Sequence, residues 1–168
     1  MPPIDYKFLK QDLSGTTEEA LLYFVFVSYE VLGKEFEDYF KKEFQLLPSH
    51  THLLCYLKLY GIMSMSDLAE LMNTSRQHMT KIVDSLAERG LVTRTYNPRD
   101  RRAVYVEPTD QALRQVDTGE RRFISHLLHN ISQLPEDEQE KTIDAIKTTS
   151  KFLSSLTIKT EKIPNSYL

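Results

Sequence analysis

The sequence has little of what marks several broad classes of protein. It holds one cysteine, Cys55, in 168 residues. A single cysteine closes no internal disulfide and fits a reducing compartment. Five Gly and seven Pro are too few for a fibrous or low-complexity chain. The longest unbroken apolar run, Ala20 to Val27, falls far short of the roughly 18 residues a membrane span needs. Met1-Pro2-Pro3-Ile4-Asp5 lacks the basic start and apolar run of a signal peptide. The expectation is a cytoplasmic chain with no membrane partner. What is present is ordinary. Apolar residues at 40% and charged residues at 27% argue against global disorder. The length predicts one domain with at most an appendage.

The net charge of -3 carries no message until it is divided along the chain. Asn73 to Arg102 holds seven Arg and Lys against three Asp and Glu, a net of +4. The remainder carries -7. An acidic body with one basic segment is the electrostatic footprint of a nucleic-acid binder.

Residues 1–15 show no period and read as an arm. Thr16 with Glu19 reads as a capping box opening a helix that continues to about Phe44. Lys41 and Lys42 complement the negative end of that helix. Its first half, Ala20 to Leu32, is apolar almost all round. A surface helix of a monomer shows one apolar stripe, so this one is central or covered by a second subunit. Leu47-Pro48-Ser49 opens another helix, with Leu53, Leu54, Leu57 and Tyr60 inward and Gly61 as its stop. A short helix follows over about Ser66 to Met72. Asn73-Thr74-Ser75 breaks the chain, and Thr74 with Gln77 predicts the cap of a helix to about Arg89. Met79, Ile82, Val83 and Leu86 are spaced to face inward, and Gly90 ends the helix.

After Gly90 the period becomes two. Val92, Arg94 and Tyr96 alternate with Thr93 and Thr95, and Val104 and Val106 alternate with Ala103 and Tyr105. Asn97-Pro98-Arg99-Asp100 is turn chemistry, so a two-stranded hairpin is predicted. Two long helices finish the chain. One starts near Thr109 and carries Leu113, Val116, Phe123, Leu127 and Ile131. Pro135 suits the first turn of the other, with Ile143, Ile146, Phe152 and Leu153 as its stripe. The tail beyond Thr157 reads as frayed or weakly docked.

The constellation that can carry chemistry is helix, short helix, helix, basic hairpin. Two short helices joined by a tight turn can place the second in a major groove. Its outward residues begin with Ser75, Arg76, Gln77, His78, Thr80 and Lys81. Arg suits guanine edges, Gln suits adenine, and Ser, Thr and Lys suit phosphates. The plain alternative is a solvated polar face. The hairpin adds Arg94, Arg99, Arg101 and Arg102 with a single carboxylate, Asp100. Four cations with one acid repel one another unless an anionic partner meets them. Asp100 can hold one arginine fork rigid for that partner.

Leu68-Ala69-Glu70-Leu71, Ser75-Arg76, Asp84-Ser85-Leu86, Glu88-Arg89-Gly90-Leu91-Val92 and Asn97-Pro98-Arg99-Asp100-Arg101-Arg102-Ala103 together resemble the MarR family of bacterial transcription regulators. The resemblance covers about Leu47 to Ala112. It implies a winged helix-turn-helix on an obligate dimer whose first and last helices interdigitate. It implies that Thr74 to Arg89 is the recognition helix. Asp100 with Arg102 matches the family's Asp-x-Arg wing motif. Three departures stand out. Asn97 replaces an Asp, Pro108-Thr109 replaces Leu-Thr, and Gln111-Ala112 replaces a stretch with Gly. The last two put the path into the following helix in question.

Two further sets stay open. His50, His52 and Cys55 share one helix, and His126 and His129 share a face of another. Such groups could hold zinc. The blander reading is a small core cysteine with polar histidines, because no standard zinc spacing is present. Cys55 between Leu54 and Leu57 is a poor peroxide sensor. The aromatics Tyr23, Phe24, Phe26, Tyr29, Phe36, Tyr39, Phe40 and Phe44 crowd the first helix. They suit a dimer core, or the crevice for small aromatic anions that the family resemblance implies.

The sequence therefore predicts a mainly α fold. A winged helix-turn-helix with a two-stranded β wing (47–108) is embedded in a helical dimerisation region (1–46 and 109–168). The expected function is a homodimeric, sequence-specific repressor of double-stranded DNA, released by a small aromatic effector. Two-fold symmetry implies a pseudo-palindromic operator with half-sites about 10 bp apart. A zinc-responsive regulator and a winged-helix protein-interaction module are the alternatives. No nucleophile–base pairing, phosphate loop or metal triad marks an enzyme, and no cofactor is expected.

Overall fold

The structure is a computed structural model that describes residues 17–96 and 104–157. The predicted arm, the Thr16 cap, the wing tip at 97–103 and the tail beyond Thr157 lie outside the described residues. The chain divides into two units, Met1–Thr51 and His52–Leu168.

In the first unit the expected long helix is present but not uniform. It comprises α1 (Thr17–Val27), a π-helical segment (Ser28–Gly33) and α2 (Lys34–Phe44). Glu30 and Lys34 form an ion pair across the π segment's C-terminal end. Gln45, at φ 53, closes α2 in the left-handed region, and its N–H returns to the Phe40 carbonyl. Along α2, Phe40 lies between Phe36 and Phe44, with ring centroids 4.7 and 5.6 Å away. Tyr39 meets Phe40 edge-on at 5.9 Å. Phe40 and Leu46 are fully buried. In α1, by contrast, Leu21, Phe24, Val25 and Phe26 are all exposed.

Helix α3 (Pro48–Tyr60) runs into the second unit. Leu53, Leu54 and Leu57 form its buried side, as the spacing predicts. Tyr60 does not join them. It stacks on Tyr56 at 6.4 Å and stays 39% exposed. Gly61, at φ 77, is the residue that stops the helix.

A strand absent from the sequence reading follows. Met63 and Ser64 form β1, which pairs antiparallel with β3 (Val104–Pro108). With β2 (Val92–Tyr96) this makes a three-stranded sheet in the order β1-β3-β2, rather than a bare two-stranded wing. The Ser64 hydroxyl accepts from the Asp67 N–H at 3.1 Å and caps α4 (Met65–Leu71). Leu68 and Ala69 are the buried residues of α4.

Helix α6 (Asp110–Ser132) starts as predicted at Thr109, whose hydroxyl accepts from the Ala112 N–H at 3.3 Å. That hydroxyl also donates to the Gly90 carbonyl at 2.9 Å. The Thr109 N–H reaches the Leu91 carbonyl at 3.0 Å. So the Pro108-Thr109 departure keeps an ordered path, and Ala112 is buried at the start of α6. Along α6, Val116 is buried, while Leu113, Phe123, Leu127 and Ile131 are half-buried. Pro135 precedes α7 (Glu136–Thr157) rather than sitting in its first turn. Its carbonyl accepts from the N–H groups of Glu138 and Gln139. The apolar stripe of α7 is exposed, with Phe152 55% and Ile146 51% accessible.

Candidate nucleic-acid interface

The helix-turn-helix is built by two local devices. At the end of α4, the Asn73 N–H bonds to the Glu70 carbonyl and the Thr74 N–H to the Ala69 carbonyl, at 3.0 and 2.9 Å. This is a Schellman closure, and it needs a left-handed residue at its centre. Asn73 supplies it at φ 46, which asparagine tolerates better than most residues. The chain then re-enters a helix three residues later, at Arg76.

The second device is the cap of α5 (Arg76–Glu88). The capping residue is Ser75 and not Thr74. The Ser75 hydroxyl oxygen accepts from the His78 N–H at 3.2 Å. Thr74 lies one residue earlier, in the α4 closure, so Gln77 is not its capping partner. Met79, Ile82, Val83 and Leu86 are all buried, as their spacing predicts. Burial of side chains this size contributes about 1.5–3 kcal/mol each, which fixes the rotation of α5. The opposite face follows from that rotation. Ser75, Arg76, Gln77, His78, Thr80 and Lys81 are all exposed on the leading half of the helix.

Their hydrogen bonds separate them. Ser75 uses its oxygen as an acceptor, which leaves its O–H as a donor for an outside anion. Thr80 spends its O–H on the Arg76 carbonyl at 2.9 Å, the common back-bond of a helical threonine. Arg76, Gln77, His78 and Lys81 present donors outward from exposed positions.

The wing begins where α5 ends. Gly90, at φ 68, is the left-handed residue of a second Schellman closure. The Gly90 N–H bonds to the Ala87 carbonyl and the Leu91 N–H to the Leu86 carbonyl, both at 2.9 Å. Leu86 and Leu91 are both buried. From there β2 pairs with β3 in the register Val92↔Pro108, Arg94↔Val106 and Tyr96↔Val104. Arg94 points inward, with one guanidinium nitrogen 2.5 Å from an Asp84 carboxylate oxygen. A second donates to the Thr80 carbonyl at 3.4 Å. Arg99, Asp100, Arg101 and Arg102 lie outside the described residues.

The candidate ligand residues do not assemble. Among the described residues no group of three or more His, Cys, Asp or Glu side chains could hold a metal ion. That covers His50, His52, Cys55, His126 and His129. His126 instead shares a hydrogen bond with Asn130 at 3.3 Å. Cys55 is free and half-buried. Burial pushes its thiol up to about 11, with the Glu120 charge adding and Lys58 opposing. It is a poor nucleophile there. Lys58 bridges α3 to α6, 2.6 Å from Asp117 and 2.5 Å from Glu120. The hydrogen bonds to Asp117 and Glu120 hold Lys58 above its usual range, and the Lys58 hydrogen bond holds Asp117 below its own. No local pattern marks this bridge, because its partners lie about sixty residues apart. Among the described residues no helix is long and apolar enough to cross a membrane.

Comparison with known proteins bears on this geometry. The transcriptional repressor MdtR of Bacillus subtilis is 26% identical over 108 residues, spanning 62% of this chain and 66% of MdtR. The fold is shared with MepR, a transcription regulator of the Staphylococcus aureus multidrug efflux pump MepA. The TM-score is 0.65 at 21% identity, covering 84% of this chain and 99% of MepR. A MepR variant solved bound to an oligodeoxyribonucleotide matches with a TM-score of 0.61 at 21% identity, over 84% of this chain and 99% of that one. Residues 46–104 match the model of the MarR family. That matched stretch contains the helix-turn-helix and β2, the segment in which this chain is similar to the MarR family.

Proposed function

We propose that the protein is a homodimeric, sequence-specific DNA-binding regulator that represses transcription and is released by a small-molecule effector. The observation that carries this is the division of α5. Its core face is buried, and its leading outward face presents Ser75, Arg76, Gln77, His78 and Lys81 to solvent. In this reading α5 enters a major groove and the wing, with Arg99, Arg101 and Arg102, follows the flanking minor groove. The repressor role rests on the likeness to MdtR, and DNA as partner on the likeness to the DNA-bound MepR variant.

Dimerisation is favoured by apolar surface that one chain leaves in water. Val25, Phe26 and Tyr29, Ile124 and Leu128 on α6, and Ile146 and Phe152 on α7 are each at least half exposed. Monomeric proteins rarely carry that much exposed apolar surface. The helices outside 47–108 are the proposed dimerisation region, and the operator is then pseudo-palindromic. An effector can switch such a dimer only by binding its two conformations with different affinity.

The test is a titration of the tag-free protein against DNA from upstream of its own gene, at several salt concentrations, with random DNA as control. Tight, selective binding that weakens steeply with salt is the expected result. Gln77→Ala is expected to relax base preference and to leave binding to random DNA nearly intact. Salt-insensitive binding, or none, would overturn the DNA reading in favour of a protein partner.

A further inference from the structure

Arg94 is one of the cations of the basic segment, yet it does not face outward as Arg76, Lys81 and Arg89 do. Strand residues alternate between two faces. Val92, two residues before Arg94, is 2% exposed and so marks the core-facing side of β2. Thr93 and Thr95 occupy the other side and are exposed. Arg94 therefore leaves the sheet toward α5. There its two terminal nitrogens meet two points one helical turn apart. One is the Asp84 carboxylate at 2.5 Å and the other the Thr80 carbonyl at 3.4 Å. Its Nε is buried as well.

We propose that Arg94 is a positioning residue: with Asp84 and the Thr80 carbonyl it clamps the root of the wing to the recognition helix, and it does not itself contact DNA.

The chemistry favours the clamp over a phosphate contact. A guanidinium is a rigid planar fork, so it can grip a carboxylate and a carbonyl at once, which an ammonium does poorly. Asp84 is half-exposed next to the DNA-facing half of α5. Turning Arg94 out to a phosphate would leave that carboxylate unneutralised beside the polyanion, and like charges repel. The clamp also acts where orientation matters. α5 and the hairpin must reach the same duplex together. Their covalent link is the short Arg89-Gly90-Leu91 turn, and Arg94 adds a second tie beyond it.

The proposal rests on the DNA reading above, and two measurements keep the failures apart. The first uses Arg94→Ala, Asp84→Ala and the charge-neutral double variant, titrated against the preferred site and random DNA across a salt series. Each single variant is expected to bind the site about fivefold more weakly. The double is expected to be no worse than either single, because both remove one coupled tie. Binding to random DNA and the salt slope of the double stay at wild-type values. Loss of stability alone would lower the melting temperature of all three without changing the ratio of site to random binding. Arg94→Lys is expected to recover only part of the loss. A direct phosphate contact gives the opposite pattern. The double variant would lose about 0.9 in salt slope, random DNA would be lost in parallel, and Asp84→Ala would bind as well as wild type or better. That pattern overturns the clamp. The second measurement needs no DNA. Amide exchange at Thr93 to Tyr96 is expected to quicken in both single variants. Unchanged exchange overturns the clamp whatever the DNA result. A wild-type protein that ignores DNA while both variants loosen β2 would overturn the functional reading and leave the clamp standing.

Discussion

Replacing Gly90 by alanine isolates the energy of one backbone conformation. Gly90 closes α5 at φ 68, and a Cβ built there meets nothing within 4 Å. No clash contributes, so the cost is conformational. Holding an L-residue in the left-handed region costs about 1–2 kcal/mol. Alanine also reduces the freedom of the unfolded chain, which returns about 0.4–1 kcal/mol. The expected net loss is about 1 kcal/mol, or a fall in Tm of about 2–4 °C for a chain of this length. The sequence has no tryptophan, so urea unfolding is best followed by far-UV circular dichroism. The midpoint should fall with the m-value unchanged. Gly90→Asn should lose less, because asparagine visits this region more readily. Gly61→Ala, at φ 77 and also free of contacts, should cost about the same. If Gly90→Ala is as stable as wild type, or Gly90→Asn is worse than Gly90→Ala, the reasoning fails.

Two further outcomes follow from the bridge between α3 and α6. Cys55, with its thiol pushed up to about 11 from an ordinary 9.0, should react with iodoacetamide at pH 8 about a hundredfold more slowly in the native protein than in the urea-denatured one; equal rates would refute this. Asp117 is held below 3.8 in the folded state, so its contribution is present above that value and disappears as pH falls through the folded one. The stability gap between wild type and Lys58→Met should therefore shrink in acid below pH 3.8, and a gap that stays constant would count against the bridge.

The core side of the DNA-binding segment was legible because it rests on periodicity. Met79, Ile82, Val83 and Leu86 recur at helical spacing, and Gly61 and Gly90 stand where a left-handed residue must. Misses came where the deciding interaction is not periodic. Thr74 and Ser75 are adjacent capping residues, and Gln77 three residues after Thr74 pointed to the wrong one. The structure chooses Ser75 because Thr74 is already used to close α4. β1 is two residues long, too short for any alternation to register. The π segment changes only the backbone hydrogen bonding within a helix whose apolar spacing runs on through it. Tyr60 has the spacing of an inward residue, but it is the last of its helix and stacks on Tyr56. Arg94 was readable in part. The alternation that placed it beside Val92 already turned it toward the core, although its charge suggested the surface. The wing-tip arginines Arg99, Arg101 and Arg102 lie outside the described residues.

The strand order β1-β3-β2 has a consequence for how the chain is made. Met63 and Ser64, which lead into α4, pair with Val106 and Tyr105, on the returning strand of the wing. Everything that defines the helix-turn-helix lies inside that loop of about 40 residues. Closing a loop of this size costs entropy that helical turns do not. On a ribosome, α4 and α5 emerge well before their anchoring partner does. The most local motif in the sequence is thus completed late, once β3 is out, and arrested nascent chains ending before and after β3 would show the difference as protection of the Met63 amide.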